Sequence, residues 1–159
     1  MGAQGEELAR QFEEAVAALK GEVEGCDAAR WQQTCGPEGW TVAATAQHVL
    51  AQFGLERRYM AAAAEGAEMP QLSWDDINTL NETRAAEQSA VSKDVVLNMI
   101  RDDVPKMAAY VRGLSDGQLE RTAPLPLAEG AEVSAQQLIE GGVLIDHVRA
   151  HTKSIQAAG

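Results

Sequence analysis

The chain has 159 residues and a formal net charge of −11, and its residues are 45% hydrophobic but only 4% aromatic. That length suits one domain, residues 1–159. The acidic balance, with no basic stripe, argues against nucleic acid and against anionic membranes as partners. No apolar run approaches the roughly 20 residues that span a bilayer, and the acidic start MGAQGEELARQFEEA is unlike a signal peptide, so residence in the cytoplasm is expected.

A core built mainly from Ala, Leu, Val, Ile and Met favours helices over sheet. The first helix is predicted over residues 5–25, where Leu8, Phe12, Val16, Leu19 and Val23 recur at spacings of three and four and Glu6, Glu13, Glu14 and Lys20 take the opposite face. Cys26 and Cys35 follow it; their spacing matches no zinc ribbon, and free thiols are expected. Pro37 and Gly39 then break the chain.

Thr41 is the predicted N-cap of a second helix running to about Glu65, stopped by Gly66 and Pro70. Ser73 and Asp76 form a capping-box pattern for a shorter helix over 73–89. Ser92 caps a long helix to about Arg112, with Val96, Met99, Ile100, Val104, Met107, Val111 and Leu114 on one side and a kink expected at Pro105. Ser115 starts a single turn, and TAPLPLAEGAE is expected to be loop. Ser134 and Gln137 open a last helix that is predicted to reach nearly to the C-terminus, with Gly141 and Gly142 inside it at a cost of about 1 kcal/mol each.

The three histidines stand on these helices. His147 and His151, one turn apart, project from the same face of the last helix, and His48 shares a stripe of the second with Gln52, Leu55 and Tyr59. All three turn toward the core. Two readings stay open from spacing alone: a shared divalent metal, or three imidazoles each satisfied by a separate hydrogen bond.

Three stretches resemble the DinB-like superfamily, which includes the N-terminal domain of mycothiol-dependent maleylpyruvate isomerase and the bacillithiol transferases. GPEGWTVAATAQHVLAQF resembles the Gly-Trp-to-His start of the family's second helix. WDDINTLNETRAAEQS resembles its polar D-x-x-N segment, and LIDHVRAHTKSI resembles its fourth helix with H-x-x-x-H. The likeness covers about residues 5–157. It implies an all-α four-helix bundle with a long crossover connection containing a short extra helix. It also implies one divalent metal, usually zinc or nickel, held by His48, His147 and His151, and makes a homodimer plausible.

Three imidazoles leave coordination positions open for water or substrate. Such a metal can activate a low-molecular-weight thiol as thiolate, or a water for hydrolysis. The resemblance implies the thiol role, an S-transferase or isomerase acting on a small electrophile. A metal-dependent hydrolase and a non-catalytic small-molecule or metal-binding bundle are the alternatives. Tyr59, Asn78 and Arg57 are candidate substrate-binding residues. Asp75, Asp76 and Asn81 are weighed as residues of the mouth and Arg58 as a grip on a carboxylate. Trp40 and Trp74 are read as packing anchors and Asp146 as solvated.

Overall fold

The stripe Leu8, Phe12, Val16, Leu19 and Val23 is buried along α1 (Ala3–Gly25) in the computed structural model, which describes residues 2–158. Phe12 meets the Phe53 ring edge-on at 5.6 Å. Gly5 permits a close approach: a Cβ there would lie 2.8 Å from the Leu114 carbonyl oxygen. A one-turn α2 (Ala28–Trp31), capped by Asp27, interrupts the expected loop.

Thr41 caps the second helix as predicted, its hydroxyl accepting the Ala44 N–H. That helix is divided, however, into α3 (Val42–Ala51) and α4 (Phe53–Glu65), with Gln52 between them in the right-handed region but outside regular helix. Gly66 ends α4 at φ 65°, the left-handed cap that glycine adopts without a Cβ penalty. The crossover carries α5 (Trp74–Glu87), opened by the predicted Ser73–Asp76 capping box. Ser92 caps α6 (Lys93–Arg112), which continues through Pro105, and Ser115 caps α7 (Asp116–Glu120).

Two departures follow. The segment expected as loop forms an antiparallel ribbon of β1 (Thr122–Leu125) and β2 (Ala131–Ser134), with Ala123 opposite Val133. Its strands are too short and too exposed to show alternation, and Pro124 is tolerated because the ribbon has only edge strands. The last helix is not continuous. It stops as α8 (Ala135–Glu140) and restarts as α9 (Ile145–Ala157), because Gly141 leaves helical space at φ −90°, ψ −150°. Two adjacent glycines make that break inexpensive.

Helices α1 and α3 both pack against α6 and α9, so the four form a bundle in which α1 lies diagonal to α3 and α6 diagonal to α9. Helix α4 carries on beyond the bundle to meet α7, α8 and the ribbon, while α5 lies on α3. The Gly141 break therefore lets α8 follow α4 while α9 turns between α1 and α3. Cys26 and Cys35 are free thiols, both buried. Among the described residues no helix is long and apolar enough to cross a membrane.

Candidate metal centre

His48 lies in the last turn of α3, and α9 carries His147 in its first turn and His151 one turn on. The start of α3 is fixed against the crossover, since the Thr41 hydroxyl donates to the Ser89 carbonyl at 2.8 Å. Nε2 of His147 lies 3.2 Å from Nε2 of His48 and 3.0 Å from Nε2 of His151. One ring nitrogen from each residue falls within 4.8 Å of the other two. Bonds of about 2.1 Å to a common ion would separate ligand nitrogens by about 3.4 Å at tetrahedral angles and about 3.0 Å at right angles. The two spacings to His147 match that range.

The donor chemistry agrees. His151 Nδ1 lies 2.7 Å from Glu38 Oε2, a contact that places the ring proton on Nδ1 and leaves a lone pair on Nε2. Burial lowers the His48 pKa to about 2, helped by the neighbouring His147, His151 and Arg84, and lowers His147 to about 4. Burial also lowers His151, against the opposing pull of Glu38. All three rings are neutral at pH 7, the form in which imidazole binds metal.

Two buried carboxyl groups stand behind this cluster, and sequence reasoning missed both. Glu38 comes from the loop CGPEGW, which closes on itself: Cys35 N–H donates to the Trp40 carbonyl at 2.7 Å and Gly39 N–H to the Cys35 carbonyl at 2.8 Å. Gly39 adopts φ 74° within that ring. No periodicity operates in such a loop, so Glu38 carried no signal. Glu56 did carry one: it falls on the stripe of Gln52 and Tyr59, at i+4 and i−3 respectively. Its Oε2 lies 3.6 Å from His147 Nδ1, and burial holds its pKa well above the carboxylate range.

Trp40 covers the cluster, its ring 5.1 Å from that of His48 and stacked 6.4 Å from that of His151. Its indole N–H donates to Glu82 at 3.1 Å. A cleft of about 170 Å³ reaches His147. Leu55, Trp74, Ile77, Leu127 and Val143 give it apolar walls, and Gln52, Glu56, Tyr59 and Asn81 supply polar atoms. The Tyr59 hydroxyl and Asn81 Oδ1 are buried there without hydrogen-bond partners. Arg84 donates to Gln52 Oε1 at 3.0 Å from behind.

Of the predicted substrate-binding residues, Tyr59 lines this cleft. Asn78 is exposed and does not, the asparagine of the cleft being Asn81. Arg57 lies in a separate groove with Met99 and Lys106, its guanidinium 4.4 Å above the Tyr110 ring. The neighbouring Arg58 and Asp75 are exposed, and the Asp76 carboxylate is spent on the Ser73 N–H. Trp74 is both cleft wall and anchor, its indole N–H donating to Leu127 O at 2.9 Å. Asp146 is solvated beside Arg149.

Fold and cluster together define a class: a four-helix bundle in which two helices bring three imidazoles together in metal-ligating geometry, one of them, His147, lining a cleft. The chain belongs to the DinB superfamily, whose family model matches residues 11–155. No curated protein matches the sequence. Among solved structures, YfiT from Bacillus subtilis, described as a probable metal-dependent hydrolase with an unusual four-helix bundle topology, is similar at TM-score 0.74 and 16% identity. That likeness covers 97% of this chain and 85% of YfiT. Mycothiol-dependent maleylpyruvate isomerase is similar at TM-score 0.65 and 17% identity over 96% of this chain, which spans only 58% of the isomerase. The colibactin self-resistance protein ClbS, solved in complex with double-stranded DNA, is similar at TM-score 0.68 and 12% identity, covering 97% of this chain and 94% of ClbS. A relative of this fold thus meets DNA, and the expectation of no nucleic-acid partner rests here on charge alone.

Proposed function

We propose that the protein is a metal-dependent enzyme acting on a small molecule, with His48, His147 and His151 as ligands of one divalent cation, zinc or nickel. The observation that carries this reading is the convergence of three neutral ring nitrogens, 3.0 and 3.2 Å apart, beside a cleft that reaches His147. A divalent cation with only three protein ligands supplies Lewis acidity, lowering the pKa of a thiol or water brought to it. The chain's own residues do the rest. The apolar walls accept the body of a small electrophile and exclude water, and the Tyr59 hydroxyl is placed to donate to a substrate oxygen. Trp40 packs on the His48 and His151 rings.

The reaction we favour is transfer of a low-molecular-weight thiol to that electrophile, or a thiol-dependent isomerisation. The family likeness to the mycothiol-dependent isomerase supports it, although that enzyme is much longer than this chain. Hydrolysis is the second reading, supported by the likeness to YfiT over most of both chains. We also propose a homodimer in the cytoplasm with no nucleic-acid partner.

Elemental analysis of the purified protein, followed by turnover with the metal present and removed, tests this. Cysteine, glutathione, mycothiol and bacillithiol would each be offered with a chromogenic electrophile, and activated esters without thiol. Metal-dependent consumption of a thiol is the expected result. Ester cleavage without thiol would replace it by the hydrolase, and a protein with neither metal nor turnover would leave a binding bundle.

A further inference from the structure

We propose that Glu56 is a positioning residue for the metal centre, a carboxyl oxygen accepting the Nδ1–H of His147 and holding that ring with Nε2 toward the cation. The proposal rests on the three-histidine reading above. His151 shows the same arrangement already closed, with Glu38 Oε2 at 2.7 Å from its Nδ1. At His147 the partners face each other slightly farther apart, at 3.6 Å.

The reasoning begins with unpaired groups. His147 Nδ1 and both carboxyl oxygens of Glu56 are buried and without hydrogen-bond partners. A buried polar group left unmet keeps its desolvation cost with nothing to offset it. Glu56 is only 6% exposed, so water does not relieve it. Arg84, on the neighbouring α5, is turned to Gln52 Oε1. A side-chain adjustment of under an ångström brings Glu56 Oε2 and His147 Nδ1 to an ordinary hydrogen-bond length.

The pairing also has a purpose. A neutral imidazole has two tautomers, and only the one with its proton on Nδ1 offers an Nε2 lone pair to a metal. A carboxyl oxygen that accepts from Nδ1 selects that tautomer, fixes the ring plane and makes the ring a stronger donor. The two rings of α9 are thereby held from opposite sides, one by a loop before α3 and one by α4.

The test is Glu56→Gln in the full chain, with Zn²⁺ affinity measured by chelator competition and the Co²⁺-substituted protein examined by visible absorption. We expect Zn²⁺ binding about 10–100-fold weaker than wild type, with an altered Co²⁺ spectrum. Thermal unfolding of the metal-free protein should be unchanged or slightly raised, which separates positioning from a structural role. Glu56→Asp, whose carboxylate is withdrawn from His147, should also weaken binding and serves if the glutamine variant does not fold. Wild-type affinity and spectrum in a folded variant would overturn the proposal. A wild-type protein that binds neither Zn²⁺ nor Co²⁺ would instead overturn the three-histidine reading itself.

Discussion

His151 donates its Nδ1 proton to Glu38 across 2.7 Å, although 113 residues separate them in the chain. The contact depends on a ring of backbone hydrogen bonds that closes residues 35–40, and Gly39 allows that ring to close at φ 74°. Gly39→Ala should therefore cost about 1–2 kcal/mol through left-handed strain, and Gly39→Asn less. Urea midpoints of the two variants check this; an alanine variant as stable as wild type would mean that the loop can close another way.

His147→Ala should abolish stoichiometric metal without unfolding the protein, because the core of the bundle lies elsewhere. Far-UV circular dichroism should keep its helical signal while elemental analysis falls from one metal per chain to none. Joint loss of both would point to a structural metal.

Acid should weaken the metal-free protein. Burial holds His147 at about 4 and His48 at about 2, below the ordinary 6.5, so the unfolded chain binds protons that the native protein refuses. Stability is then complete above pH 6.5 and declines as pH falls below it, by up to about 1.4 kcal/mol per pH unit for each imidazole. Glu56 acts in the opposite sense: its raised pKa contributes stability that is lost as pH climbs past the carboxylate range. Three imidazoles outweigh one carboxyl, so urea midpoints should drop from pH 7 to pH 5. A flat or rising profile would show that the rings are protonated in the native protein.

Phe12 is fully buried and meets Phe53 edge-on. Phe12→Ala should cost about 3–5 kcal/mol, from lost transfer energy and the cavity left behind. Thermal or urea unfolding measures it. Glu14→Ala on the exposed face of the same helix is the control and should change stability by less than about 0.5 kcal/mol.

The net charge of −11 predicts no retention of double-stranded DNA at about 0.15 M salt, where phosphate contacts made by Lys and Arg dominate affinity. A gel-shift titration decides it, and a salt-sensitive complex would show that this chain shares what ClbS does.

Much of this protein can be read directly from its sequence. The spacing of Leu8, Phe12, Val16, Leu19 and Val23 determines α1, and Thr41, Ser73, Ser92, Ser115 and Ser134 mark helix starts because each hydroxyl meets a backbone N–H within three residues. The inward faces of His48, His147 and His151 are equally local, since helical period alone sets them. Only tertiary structure decided the rest. Whether three rings from distant stretches share one point depends on how α3 and α9 cross, and the break at Gly141 directs α9 there. Glu38 and Glu56 belong to the centre through contacts across the fold, and Arg57 is lost to it because its side of α4 faces Tyr110. Local patterns fix which face of an element is buried, but the partner that buries it is chosen by packing between elements far apart in the chain.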